Sequence, residues 1–321
     1  MKTETGPAMP DVKMHLATPA NPVTATVVET SRCTQGTGRG GAAKAAGVVR
    51  HISFDITGTP LAGSFRPGQS FGVIPPGVDA KGSPHKLRLY SLSSPSRGED
   101  GRGNVVATSV KRVIDEEWET HKLFIGVCSN HLCDLKPGDK VLLTGPSGKR
   151  FVLPRNPSDH DYVFFATGTG IAPFRGMVMD LLESGAASKV VLIMGSAYTS
   201  DLIYHEQFEA LAAKHENFTY LPTISRHVGP AADRTLYVQD RLNTHRDLLT
   251  PLLSSERGLI YVCGIAGMEM GILKGLHASL SPEAFGQYLQ TDPEYQDPKT
   301  WDRKLLSRKI NPSRRVFLEV Y

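Results

Sequence analysis

The chain has 321 residues, 40% of them hydrophobic and 21% charged, with a formal net charge of +4. This length predicts two domains, each with its own core, and no apolar run approaches the roughly 18 residues needed to span a bilayer. The mild charge, without a concentrated basic face, argues against nucleic acid as a partner; the 4 scattered cysteines argue against a disulfide framework and for a reducing compartment.

Residues 1–22, MKTETGPAMPDVKMHLATPANP, carry neither a signal-peptide core nor the Arg/Ser bias of a transit peptide, and read as a flexible tail. From Val23 to Leu153 the runs TATVVETSR, GVVRHISFDI, SFGVIPP, HKLRLYSLSS, NVVATSVKRV and DKVLLTGP are each strand-like and bounded by turn residues. Short strands at such spacing predict an antiparallel barrel. After PRNPSDHD the rhythm changes. DYVFFAT is a buried-type strand, and in APFRGMVMDLLES the residues Phe174, Met177, Val178, Leu181 and Leu182 repeat at helical spacing. KVVLIMG, YHEQFEALAAKHE, FTYLPTI, YVQDRLNTHRDLLTPLL, GLIYVCG and MEMGILKGLHASL continue the alternation, and RRVFLEVY reads as a last strand. Alternating strands and helices predict a parallel sheet covered on both faces, with ligands beyond the carboxyl ends of its strands. The loops at those ends are ATGTGIAP, GSAYTS, SRHVGP and CGIAGME.

Two glycine clusters compete for a phosphate-binding role. GTGRGG, Gly36 to Gly41, matches G-x-G-x-x-G and has Asp55 downstream, but GAAKAAG behind it offers no apolar stripe for a packed helix. It reads as a hairpin loop. Thr167 to Arg175, TGTGIAPFR, instead follows a buried strand and opens a helix with Pro173 near its start. Glycines there let backbone N–H groups approach an anion at a helix N-terminus; a tight turn without a ligand is the plainer alternative. Cys128 and Cys133 form a C-x4-C pair that no further Cys or suitably spaced His completes, so no metal site is expected.

Five strings occur in one order along the chain: PHKLRLYSLSS (Pro84–Ser94), GVCSNHLCDLKPG (Gly126–Gly138), TGTGIAPFR, YVCGIAGMEMGI (Tyr261–Ile272) and the closing LEVY. Together they resemble the plant-type ferredoxin–NADP reductases from about Val23 to Tyr321. The resemblance implies a two-domain β plus α/β architecture: an N-terminal antiparallel FAD-binding β-barrel at 23–155 and a C-terminal parallel-sheet NADP-binding α/β domain at 156–321. FAD would be held non-covalently. Arg88, Leu89, Tyr90 and Ser91 match the flavin segment, with Arg88 and Tyr90 on one strand face, Arg88 for the pyrophosphate, Tyr90 against the isoalloxazine and Ser91 beside its N5. Gly126, Val127, Cys128 and Ser129 match a second flavin segment that holds the pyrophosphate. Lys111, with Ser109 before it, matches a segment reaching the FAD and NADP phosphates. The family's adenine-stacking tyrosine aligns with Asp115, for which Trp118 would substitute.

For NADP(H), the resemblance carries over Thr169 and Gly170 to the pyrophosphate and Ser225 and Arg226 to the 2′-phosphate, with Arg234 and Tyr237 completing that pocket. Ser196, Ala197, Gln239, Gly264 and Ile265 join the cofactor-binding set. Basic residues where an NAD enzyme would present a carboxylate point to NADP. The catalytic set is Ser91, Cys263, Glu319 and Tyr321. Cys263 would face the nicotinamide, Ser91 and Glu319 would form a polar relay, and the Tyr321 ring would cover the flavin as a displaceable lid. The implied activity couples hydride exchange with NADP(H) to one-electron exchange with ferredoxin or flavodoxin. Lys81, Lys86, Arg150 and Arg155 would offer a basic rim to such an acidic carrier. An NADPH-dependent reductase component of an oxygenase system is the enzymatic alternative. A non-catalytic nucleotide-binding regulator is a third reading, against which RLYS, Cys263 and the closing Glu-x-Tyr argue. A monomer is expected, in a bacterial cytoplasm or, if a transit peptide has been removed, in the plastid stroma.

Overall fold

The computed structural model describes residues 6–35, 47–226 and 236–321; the cluster Gly36–Gly41 and Arg234 lie outside them. The chain divides into two compact units, one of Asp11–Val152 with Ala172–Asp180, the other of Met1–Pro10, Leu153–Ile171 and Leu181–Tyr321.

The first unit is built on β1 (Val23–Arg32), β2 (Val49–Asp55), β3 (Ser70–Ile74), β4 (Arg88–Ser91) and β5 (Val105–Lys111). A ribbon of β6 (Ile114–Glu116) and β7 (Leu123–Ile125), the helix α1 (Val127–Asp134) and β8 (Lys140–Ser147) follow. Six strands lie in the order β4-β3-β8-β1-β2-β5, all neighbours antiparallel. The outer strands are joined as well. The Ser93 N–H donates to the Ala107 carbonyl (2.8 Å) and the Thr108 hydroxyl to the Ser91 carbonyl (2.8 Å), which closes the sheet into a barrel. Alternate residues of each strand point inward, and Phe54, Phe65 and Phe71 meet edge to face at the centre.

Two features differ from the sequence expectation. Lys13 to Ala17 are anchored, not loose: Ala17 and Gly145 exchange both backbone bonds at 2.9 Å, His15 N–H reaches the Pro146 carbonyl, and the Gln69 amide donates to the Lys13 carbonyl (3.1 Å). Main-chain pairing of this kind leaves no trace in side-chain composition. The stretch Ala172–Asp180 clusters with the barrel rather than with the unit to which its helix was assigned. There Arg175 forms a bidentate pair with Glu99 (2.6 and 3.1 Å) and donates to the Ser93 carbonyl (3.0 Å).

The second unit alternates as expected: β9 (Asp161–Thr167), α2 (Ile171–Glu183), β10 (Val190–Ser196), α3 (His205–Lys214) and β11 (Phe218–Ile224). The apolar run after Tyr237 is not one helix but a 3-10 turn, α4 (Arg241–Thr244) and α5 (Arg246–Ser254), broken at His245, where φ is −123° and ψ 41°. β12 (Gly258–Gly264), α6 (Met268–Ser279), α7 (Pro282–Gly286), a ribbon of β13 (Leu289–Thr291) and β14 (Ile310–Pro312), and β15 (Val316–Val320) complete it. The sheet runs β11-β10-β9-β12-β15, every neighbour parallel. One face buries Val163, Phe165, Ile193, Ile260 and Val262 in a core shared with α5 and α6; the other carries Tyr162, Phe164 and Tyr261, with Phe317 stacked on Tyr261 at 4.2 Å.

The excursion between β13 and β14 was not expected. Its Trp301 stacks on Phe285, and its Arg303 Nε donates to Glu269 Oε1 at 2.8 Å. The Glu269 side chain, in the first turn of α6, is fully buried, and its second oxygen accepts the Gly267 N–H at 2.7 Å.

Candidate active site

The strand order of the parallel sheet reverses at β9, where the chain moves out through β10 and β11 and returns to β12 on the other side. Ligand crevices form at such points, beyond the carboxyl ends. The loops after β9 and β12 meet there backbone to backbone. A Cβ on Gly170 would collide with the Cys263 carbonyl, and one on Gly264 (φ +146°) with the Thr167 hydroxyl. That hydroxyl accepts the Ile265 N–H at 2.9 Å. Gly168, at φ +54°, leaves open space above the turn that leads into α2, whose first turn holds no acidic residue. A turn left open at Gly168 and a positive helix end without an acidic residue in its first turn suit a pyrophosphate.

Cys263 and Glu319 are partners across β12 and β15. Burial pushes the Cys263 thiol well above its ordinary pKa, and the nearby Glu319 carboxylate adds to the rise. At neutral pH the thiol is therefore protonated; it can shape a pocket wall but is no nucleophile. Tyr321 is fixed at its backbone, its N–H donating to the Gly264 carbonyl (3.0 Å) and its carbonyl accepting from Ala266 (2.9 Å). Its hydroxyl lies 2.7 Å from Thr169 Oγ1. Thr169, Gly170, Cys263, Gly264, Glu319 and Tyr321 are thus gathered at one end of the sheet, and Ile265 projects beside them with 65% of its surface exposed.

Farther along the same edge, Ser225 N–H donates to the Ser196 carbonyl (2.9 Å) and Arg226 N–H to the Ala197 carbonyl (3.0 Å), joining residues expected from two separate loops. The Arg226 guanidinium stands 6.0 Å from the centre of the Tyr198 ring, a cation–π distance that orients the fork. Leu236 N–H bonds the Ile224 carbonyl (3.1 Å), bringing the exposed Tyr237 to the end of β11. Gln239 packs on α6, where a Cβ at Gly271 would press its side-chain amide. Tyr198 escaped sequence reasoning; an aromatic in the loop that faces an arginine loop across parallel strands was its signal.

In the barrel unit, the two segments assigned to the flavin also meet. Tyr90 hydrogen-bonds Cys128, and burial followed by that thiol raises the Tyr90 pKa. Cys128 Sγ faces the Val73 carbonyl (4.0 Å), and Val73 is the strand partner of Arg88. Cys133 Sγ faces the Val110 carbonyl, so each thiol meets backbone. Arg88 and Leu89 are exposed, while Tyr90 and Ser91 are half-buried on the same short strand. Gly126 N–H donates to the Val113 carbonyl (2.9 Å), and Ser129 Oγ accepts from Val113 N–H (3.3 Å), which places the start of α1 beside the end of β5 with its Ser109 and Lys111. α1 has no acidic residue in its first turn and no side-chain cap, Val127 is exposed, and a Cβ on Gly126 would lie 2.7 Å from Ser129 Oγ. With Arg88 two residues before Tyr90, the partner of Cys128 in α1, the donor set suits a second pyrophosphate.

Trp118 stands 91% exposed between β6 and β7. Asp115 is paired across the ribbon with Phe124, itself exposed, so Phe124 offers a ring on the Asp115 face. The short apolar run LFI after the acidic stretch DEEWE was the sequence signal for it. Of the expected basic rim, Lys81, Lys86 and Arg150 are exposed in the barrel unit and Arg155 in the other.

Residues 164–274 match the family model for an oxidoreductase NAD-binding domain. The chain is 35% identical over 275 residues to a ferredoxin–NADP reductase of Thermosynechococcus vestitus, covering 84% of this chain and 69% of that one. It is 37% identical to the Spirulina enzyme of the same name (73% and 80%) and 40% identical to the rice chloroplastic leaf isozyme 1 (71% and 63%). In structure it resembles ferredoxin–NADP+ reductase from Plasmodium falciparum, with a TM-score of 0.67 at 22% identity, covering 95% of this chain and 98% of that one. A second structure of that enzyme, with 2′-phospho-AMP, gives a TM-score of 0.69 at 20% identity over 97% and 100%.

Proposed function

Since the chain belongs to the ferredoxin–NADP reductase family, we propose that it is an FAD-dependent reductase that exchanges electrons between NADP(H) and ferredoxin. The observation that carries this reading is the gathering of Thr169, Cys263, Glu319 and Tyr321 at the reversal point of the parallel sheet. FAD, when bound, accepts a hydride and passes on single electrons. The barrel unit would hold it through Arg88, Tyr90, Lys111 and the N-terminus of α1, with Phe124 or Trp118 for the adenine. In the α/β unit, Thr169 and Gly170 bind the nucleotide pyrophosphate. Ser225 and Arg226 bind the 2′-phosphate with Tyr237, and the family resemblance adds Arg234 to that set. Ser91 on the barrel unit is assigned to the flavin N5, Cys263 and Glu319 on the α/β unit to the nicotinamide, and Tyr321 is a ring that the nicotinamide displaces.

Flavodoxin as an alternative carrier, a monomeric state and a cytoplasmic or plastid location belong to the same proposal. The basic residues Lys81, Lys86, Arg150 and Arg155 would steer an acidic carrier, an effect that salt weakens. The purified protein should release one FAD per chain on denaturation and reduce cytochrome c with NADPH when ferredoxin is added. Release of FMN, or equal rates with NADH and NADPH, would overturn the reading. A rate independent of any ferredoxin or flavodoxin would favour the oxygenase-component alternative.

A further inference from the structure

Tyr321 is held in two different ways. Its main chain is fastened to the loop after β12 by the Gly264 and Ala266 bonds. The residue is 62% exposed as a whole, and its hydroxyl is tied to Thr169 Oγ1, 152 positions away in sequence, at 2.7 Å. A residue packed on all sides would resist displacement with its whole surface, whereas a side chain on an exposed residue with a fixed backbone can turn about its side-chain bonds. The hydroxyl contact is then a discrete cost of turning. We propose that Thr169 is the latch of the Tyr321 ring: its hydroxyl sets how readily the ring yields to the nicotinamide end of the nucleotide. Thr169 acts here as a positioning residue, through Tyr321, in addition to its place in the pyrophosphate loop.

The arrangement links two events. The loop that receives the pyrophosphate is the one that restrains the ring, so any shift of Thr169 on phosphate binding is felt at Tyr321. A threonine hydroxyl has one proton and two lone pairs, so it can serve phosphate and phenol in turn or together; the latch requires the ring's departure to break the bond.

The latch rests on the nucleotide reading above, and its test separates the two. Dissociation constants for NADP+ and for 2′-phospho-ADP-ribose, which has the pyrophosphate but lacks nicotinamide, are measured by calorimetry on the flavin-loaded protein. Their ratio isolates the nicotinamide end and cancels any direct contact of Thr169 with phosphate. Tyr321→Phe should shift the ratio in favour of NADP+ by about two- to tenfold, the worth of one neutral hydrogen bond. Thr169→Val should shift it by a similar factor, and the double variant by no more than either alone. Both substitutions preserve size, so the fold is retained. A ratio unmoved by Tyr321→Phe, or factors that multiply in the double variant, would overturn the latch while leaving the nucleotide reading intact. Failure of either ligand to bind the unmutated protein would overturn both.

Discussion

Replacing Arg175 with methionine tests what fastens Ala172–Asp180 to the barrel. The Arg175 side chain is 10% exposed and that of its partner Glu99 21%, with both guanidinium nitrogens on the carboxylate. Removing one member of a buried pair costs about 3–5 kcal/mol, because the other charge stays without compensation. Some water reaches Glu99, so the lower end, about 3 kcal/mol, is expected. The acid dependence is more diagnostic. Burial alone would raise the Glu99 pKa, but Arg175, His51 and Ser94 outweigh it and hold the carboxyl below its ordinary value. Its contribution is therefore full above the unfolded pKa and lost as pH falls through the folded one. In the variant, burial acts against fewer opposing groups, the folded pKa rises, and protonation relieves the penalty. His51 adds in the same direction, since burial and then Arg175 depress its pKa, and the second of these causes disappears. The stability gap should thus narrow as pH falls from about 7 to about 5. Urea unfolding followed by circular dichroism measures it, and combining Glu99→Gln with Arg175→Met should cost less than the sum of the two. A gap below about 1 kcal/mol at neutral pH, or one that ignores pH, would refute the reasoning.

Three further outcomes are expected. Arg226→Ala should reduce the preference for NADPH over NADH by roughly tenfold or more in kcat/KM, as a charged contact worth about 1.5–3 kcal/mol is lost. Phe124→Ala should weaken FAD retention more than Trp118→Ala does, by about 1–2 kcal/mol if Phe124 carries the adenine; the opposite order in a fluorescence titration of the apoprotein would assign Trp118. Gly264→Ala forces a side chain onto a backbone at φ +146° and into the Thr167 hydroxyl. It should cost about 1–3 kcal/mol of local strain, abolish nucleotide binding and leave flavin content unchanged, read as absorbance and NADP+ affinity on one sample.

Much of this architecture was legible because side-chain periodicity reports which face is buried. The strands around Phe54 and Phe71, and the βα alternation from Asp161 to Gly264, declare themselves in that way. Features held by backbone or by distant partners do not. Ala17 pairs with Gly145 through main-chain atoms. α1 shows no apolar stripe because VCSNHLCD buries cysteines and serine along with Leu132. Tyr198 and Phe124 gain their meaning from residues across a strand pair, Arg226 and Asp115, whose register no local window contains.

The contact between Arg303 and Glu269 constrains how the gene can be recombined. Glu269 lies where the loop after β12 opens α6, whereas its cationic partner comes from the excursion between β13 and β14. Shortening that excursion would strip a fully buried carboxylate of its counter-charge next to the loop whose backbone holds Tyr321. Chimaeras that exchange the tail of this chain with another reductase should therefore transfer residues 269 and 303 together, or neutralise the first whenever the second is lost.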